Sequence, residues 1–178
     1  DRPTVGLLAE YIDSGVGVSG STRLPMPAPT ARPRPSRLEL TPQQQALWLH
    51  WQVDPARNDY NLSGLIPVGN LTVSELSSLI AILVDRHESS RTSFPADADG
   101  PYQELWDSSS VNTDVLGHVV DHPESALERL NGPFDLISEV PWRAALVESP
   151  TRGRHLAVVA HHIAVDGESV RILQRELT

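Results

Sequence analysis

His161-His162-Ile163-Ala164-Val165-Asp166-Gly167 sets two imidazoles at the end of an apolar run, with a carboxylate four residues after the second and a glycine behind it. Imidazole exchanges protons near neutral pH, so the stretch holds the residue types that general acid–base chemistry needs. The same residues admit plainer roles. His161 can be a hydrogen-bonded core histidine, and Asp166 can be the N-cap of a following helix. Zinc is a third option, but neighbouring histidines on a strand diverge. The chain has no cysteine and no HExxH pair to complete a ligand set.

The elements that must position these residues can be read around them. Residues 154–162 are short, β-branched and apolar, which predicts a buried strand. Side chains alternate along a strand, so His161 and His162 point to opposite faces and only one of them can face a given cleft. The chain then turns through Asp166-Gly167 into residues 168–177, whose Val170, Ile172, Leu173 and Leu177 roughly fit a helical face. Strand, polar turn and helix start together favour an active site, because the unpaired backbone N–H groups there can stabilise developing negative charge.

Further upstream, helices and strands mix. Thr41 as N-cap and Pro42 at the first helical position predict a helix to about Gln52. A strand over residues 61–68 precedes a helix starting at Thr72 or Ser74, with Leu76, Leu79, Ile80 and Leu83 on its apolar face. Strands are expected at 91–94, 102–106 and 111–120. A helix over 123–130 should stop near Asn131-Gly132-Pro133, followed by strands at 142–148 and 155–162. The pattern is that of an α/β sandwich lobe.

Composition sets the bounds. The chain has 178 residues, 39% of them hydrophobic, enough for one domain of ordinary size. A net charge of −9 without a basic stripe argues against a nucleic-acid surface. With no cysteine, neither disulfides nor thiol chemistry enter, and a reducing compartment is compatible. No run is long and apolar enough to span a bilayer, so a soluble, cytoplasmic protein is expected. Residues 1–13 read as a short helix with Val5, Leu8 and Ile12 along one side. Residues 14–37 read as a flexible linker rich in glycine and proline, and residues 38–178 as the folded lobe.

His-His-x-x-x-Asp-Gly resembles the signature of the condensation domains of nonribosomal peptide synthetases, within the chloramphenicol-acetyltransferase-like superfamily. Three more segments share the resemblance, in the same order. Leu40-Thr41-Pro42-Gln43-Gln44-Gln45-Ala46-Leu47-Trp48 is similar to the family's opening segment. Residues 86–94, Arg-His-Glu-Ser-Ser-Arg-Thr-Ser-Phe, are similar to its Arg-His-Glu-x-Leu-Arg-Thr-x-Phe, with Ser90 in place of leucine. Pro133-Phe134-Asp135-Leu136 and Pro141-Trp142-Arg143-Ala144-Ala145-Leu146 match the stretch before the histidine strand. Residues 1–13 resemble the last helix of a peptidyl carrier domain, without the serine segment that bears phosphopantetheine.

The resemblance implies a chloramphenicol-acetyltransferase-like sandwich, of which residues 38–178 are the N-terminal lobe only. It implies amide-bond formation between donor and acceptor thioesters held on the phosphopantetheine of upstream and downstream peptidyl carrier domains, as in antibiotic or siderophore biosynthesis. The chain itself would bind no cofactor and no metal, and a C-terminal lobe would complete the cleft. His162 is then the catalytic imidazole, Gly167 and the helix start supply a backbone donor to the oxyanion, and His161 serves structure. Asp166 pairs with an arginine that shapes the site, Arg91 ahead of Arg143, and its removal damages folding. An epimerization domain lobe and a non-catalytic lobe that docks carriers are the alternatives. The isolated chain is expected to be inactive.

Overall fold

The computed structural model describes Pro35 and residues 37–119 and 122–177. The helix expected over residues 1–13 and nearly all of the linker expected over 14–37 lie outside them. In chain order the elements are β1 (Leu38–Glu39), α1 (Pro42–Val53), β2 (Asn61–Pro67), α2 (Val73–Arg86), β3 (Thr92–Ser93), β4 (Ala96–Asp97), β5 (Gly100–Leu105), β6 (Leu116–Val119), α3 (Glu124–Leu130), β7 (Trp142–Ser149), β8 (Gly153–His161) and α4 (Gly167–Leu177).

The apolar runs of β7 and β8 pair antiparallel through a tight turn, where Gly153 takes φ 75°, a left-handed conformation that favours glycine. With β2 on one side and β6, parallel to β7, on the other, they form a sheet of order β2-β8-β7-β6. A second, smaller sheet is centred on β5, which pairs with β1, β3 and β4.

Period-two alternation divides the central sheet into two apolar faces. Ile66, Leu146 and Leu156 bury against Leu76, Ile80, Leu83 and Val84 of α2. On the opposite face Val159 joins Trp48, Trp51, Phe94, Phe134 and Leu136, while Val147 and Ala157 meet Ala126 of α3. Each such aliphatic side chain contributes about 1.5–3 kcal/mol when fully buried, so these layers hold the sheet.

Both long helices begin with reciprocal caps. Thr41 and Gln44 bond each other's backbone N–H groups, and Thr72 does the same with Glu75, which selects Thr72 over Ser74 as the start of α2.

Two expected strands are shorter than their apolar patterns suggest. Asp114 N–H bonds the Asn112 side chain in a local turn, so the strand expected over 111–120 begins only at Leu116. Residues 88–91 form a 3-10 turn, in which Ser90 bonds the His87 carbonyl and Thr92 the Glu88 carbonyl. The strand expected over 91–94 is therefore confined to Thr92–Ser93.

Candidate active site

β8 ends at His161, one residue short of the expected strand, because the chain turns back: Ala164 N–H bonds the His161 carbonyl at 3.1 Å. His162 still extends the strand edge by one bond, its N–H donating to the Tyr60 carbonyl at 2.8 Å. The two imidazoles then part. His161 is 4% exposed, while His162 is exposed.

Their Nδ1 atoms take opposite hydrogen-bonding roles. His161 Nδ1 accepts the Ile163 N–H at 3.1 Å, so its proton sits on Nε2. His162 Nδ1 lies 2.7 Å from the Val165 carbonyl, which can only accept, so Nδ1 carries a proton and donates it there. Burial, with the neighbouring His162 adding to it, lowers the pKa of His161 to about 4, and the ring is neutral near pH 7. A buried neutral ring within 6.4 Å of the Tyr60 ring is a packing group, whereas the His162 side chain is exposed.

Asp166 precedes α4 and caps it. Its Oδ1 accepts the Ser169 N–H at 2.8 Å and the Ser169 hydroxyl at 2.7 Å, and Ser169 Oγ in turn accepts the Asp166 N–H at 3.2 Å. These donors hold the carboxyl below its ordinary range. Asp166 and Arg91 are not brought together, which corrects the expected ion pair. Arg91 donates to the Trp106 carbonyl at 2.6 Å and faces Glu88 at 3.8 Å, and its Nε lies buried with no partner. Arg143 is not the partner either: it bonds the carbonyls of Leu130, Gly132 and Pro133 and pairs with Glu139. The reason is proximity along the chain, since a short carboxylate before a helix finds N–H groups within one turn. Gly167 opens α4, and a Cβ built on it would meet nothing within 4 Å, so the space at the helix start is open.

Two positioning contacts were not anticipated. Gln44 donates to the Ile163 carbonyl at 3.2 Å and approaches Gln103 at 3.5 Å, tying the start of α1 and the small sheet to the turn that carries His162. His87 Nε2 lies 2.7 Å from Glu176, anchoring the last turn of α4 to the end of α2. The capping role of Gln44, three residues after Thr41, is readable from spacing, whereas its reach to Ile163, 119 positions away, is not. Among the described residues no three His, Cys, Asp or Glu side chains gather as metal ligands, and no helix is long and apolar enough to cross a membrane.

Residues 36–178 match the condensation domain family model. The chain belongs to the condensation domain family. It is 32% identical to surfactin synthase subunit 2 of Bacillus subtilis (strain 168) across 99% of its length, and 30% identical to tyrocidine synthase 2 of Brevibacillus parabrevis across 98%. It spans only 5% of each of those relatives. Among solved structures it resembles the first condensation domain of the calcium-dependent antibiotic synthetase, solved with a substrate analogue. That likeness has a TM-score of 0.69 and 25% identity, covering 80% of this chain and 36% of that one. It also resembles the X-domain from teicoplanin biosynthesis, with a TM-score of 0.68 and 32% identity, covering 84% of this chain and 33% of that one. The chloramphenicol-acetyltransferase-like fold of the condensation domains is thereby shown.

Proposed function

We propose that this condensation domain lobe contributes the catalytic imidazole to amide-bond formation between two carrier-tethered thioesters. The α-amine of the acceptor attacks the donor thioester carbonyl. The new C–N bond forms, the carbonyl electrons move to oxygen, and His162 Nε2 takes the amine proton or holds the amine by a hydrogen bond. Collapse of the tetrahedral species breaks the C–S bond and releases the donor's pantetheine thiol, the proton returning to sulfur. The backbone N–H of Gly167, at the start of α4, is the donor that would meet the oxyanion. Because a thioester is already activated, positioning of the two arms supplies much of the rate. The partners are then an upstream and a downstream peptidyl carrier domain and the C-terminal lobe that forms the other wall.

The observation that carries this reading is the His162 ring, exposed and pinned through Nδ1 to the Val165 carbonyl, in a chain of the condensation family. The test is His162→Ala in a two-lobe protein containing residues 36–178, assayed for amide formation from a donor and an acceptor thioester. Turnover should fall about 100-fold or more, the usual span for losing a general base, with the melting temperature little changed. Unchanged turnover would refute it.

A second reading has its own support, since the X-domain that this chain resembles at 30% identity has been solved in complex with OxyB. On that reading the lobe docks a partner protein. Full product formation after His162→Ala, with partner binding retained, would favour it.

A further inference from the structure

Between α4 and the central sheet lies a cavity of about 300 Å3. This volume lies at the lower end of the range for small-molecule sites. Strand register explains the space. Gly64, Val158 and Ala144 form one row across β2, β8 and β7, and Leu62, Ala160 and Trp142 form the next. Glycine and alanine beside Val158 carry too little side chain to reach Val170 and Leu173 of α4, which line the cavity opposite them. A Cβ built on Gly64 would meet no atom within 4 Å.

Two further residues connect the cavity to the site and to the sequence. Val165, whose carbonyl holds His162, lines it. So does Ser90, which replaces the leucine of the family segment and turns its hydroxyl back onto the His87 carbonyl at 2.5 Å. No Asp, Glu, Lys or Arg is among the lining residues, and the single titratable one, His87, is engaged with Glu176. An apolar group is therefore the fitting occupant, gaining roughly fourfold in affinity for each methylene removed from water.

We propose that this cavity takes an aliphatic side chain or acyl group of one of the two tethered thioesters, with Ser90 and Gly64 setting the size it admits. The proposal rests on the amide-forming reading above and adds a specificity determinant to it. Its first test is independent of turnover. The full chain is titrated with the hexanoyl and the acetyl thioester of N-acetylcysteamine, while backbone amide resonances are followed by NMR. The hexanoyl probe should shift Gly64, Val158, Ala160 and Val165, the acetyl probe should not, and Ser90→Leu and Gly64→Val should each weaken hexanoyl binding about tenfold. Equal shifts with both probes, no shift with either, or wild-type binding by Gly64→Val would overturn it. Should Ser90→Leu fail to fold, Gly64→Val carries the test, because its added atoms enter open space in an edge strand that accepts β-branched residues.

A two-lobe protein then identifies the source of the group, varying the donor chain at fixed acceptor and the reverse. In one arm the filling variants should lower kcat/KM tenfold or more for the longer substrate and less than twofold for the shorter. Equal losses for both lengths in both arms would also overturn the proposal. Failure of the unaltered two-lobe protein to join any pair would instead sink the amide-forming reading, leaving the NMR result to decide the cavity.

Discussion

The adjacent histidines sit in opposite surroundings, His161 buried and His162 exposed. His161 keeps its ring neutral by burial, at a pKa of about 4 against an ordinary 6.5. As pH falls below about 6.5 the unfolded chain binds the proton first, so stability drops from there until about pH 4 and then levels off. His161→Asn keeps an acceptor for the Ile163 N–H but does not titrate. Its stability in urea should lose about 2 kcal/mol less than the parent's between pH 7 and pH 5; parallel losses would refute the assignment. Asp166 is a helix cap, so Asp166→Ala should cost about 1 kcal/mol, well short of the several kcal/mol of a broken buried ion pair. In a double-mutant cycle with Arg91→Ala the two effects should add within about 0.5 kcal/mol. A coupling of 2 kcal/mol or more would reinstate the ion pair.

At the scale of elements, the tryptophans join segments that are far apart in sequence. The indole N–H of Trp48 donates to the Phe94 carbonyl, that of Trp51 to the Phe134 carbonyl, that of Trp142 to the Ser90 carbonyl and that of Trp106 to the Ser93 hydroxyl. Two of these, from Trp48 and Trp142, join three of the four segments on which the family resemblance rests, and Trp51, just past the opening segment, reaches Phe134 of the third. Replacing Trp48 with Phe leaves the buried Phe94 carbonyl without its indole donor, at a cost of about 1–3 kcal/mol in addition to the lost volume. The Ser93 hydroxyl can rotate to another partner, so Trp106→Phe should cost measurably less. Chemical denaturation of both variants ranks them, and equal losses would show that packing, not the hydrogen bond, sets the cost. The cap of α1 was legible because Thr41 directly precedes Pro42, whereas at α2 the pattern admits Thr72 and Ser74 alike and the Glu75 bond decides it. The shortened strands were not legible, because side-chain bonds within a few residues outcompeted an apolar pattern that suits a longer strand.

At the scale of the molecule, the chain covers 33% and 36% of the two solved chains compared above. Two thioester arms held in one cleft need walls on both sides, and proximity is the larger part of the proposed catalysis. The 178-residue chain by itself should therefore join the two thioesters no faster than buffer does. Adding the C-terminal lobe, in trans or fused, should restore turnover that depends on His162. Product release by the single chain at a rate near that of the two-lobe protein would contradict this, and chromatography of the amide product distinguishes the outcomes.

Strand periodicity alone determined that His161 and His162 diverge, and local pattern alone placed the Thr41 cap, most helices and the ordered family segments. These are properties of residues within one or two turns or pleats of each other, where backbone geometry leaves few choices. Which imidazole was buried, what Asp166 bonds, that Gln44 reaches the Ile163 carbonyl, and that Gly64, Ala144 and Ala160 leave a cavity under α4 were decided only by the tertiary structure. Each depends on which distant segments meet and in what register. Close packing sets those relations among all the layers together, and no local pattern encodes them.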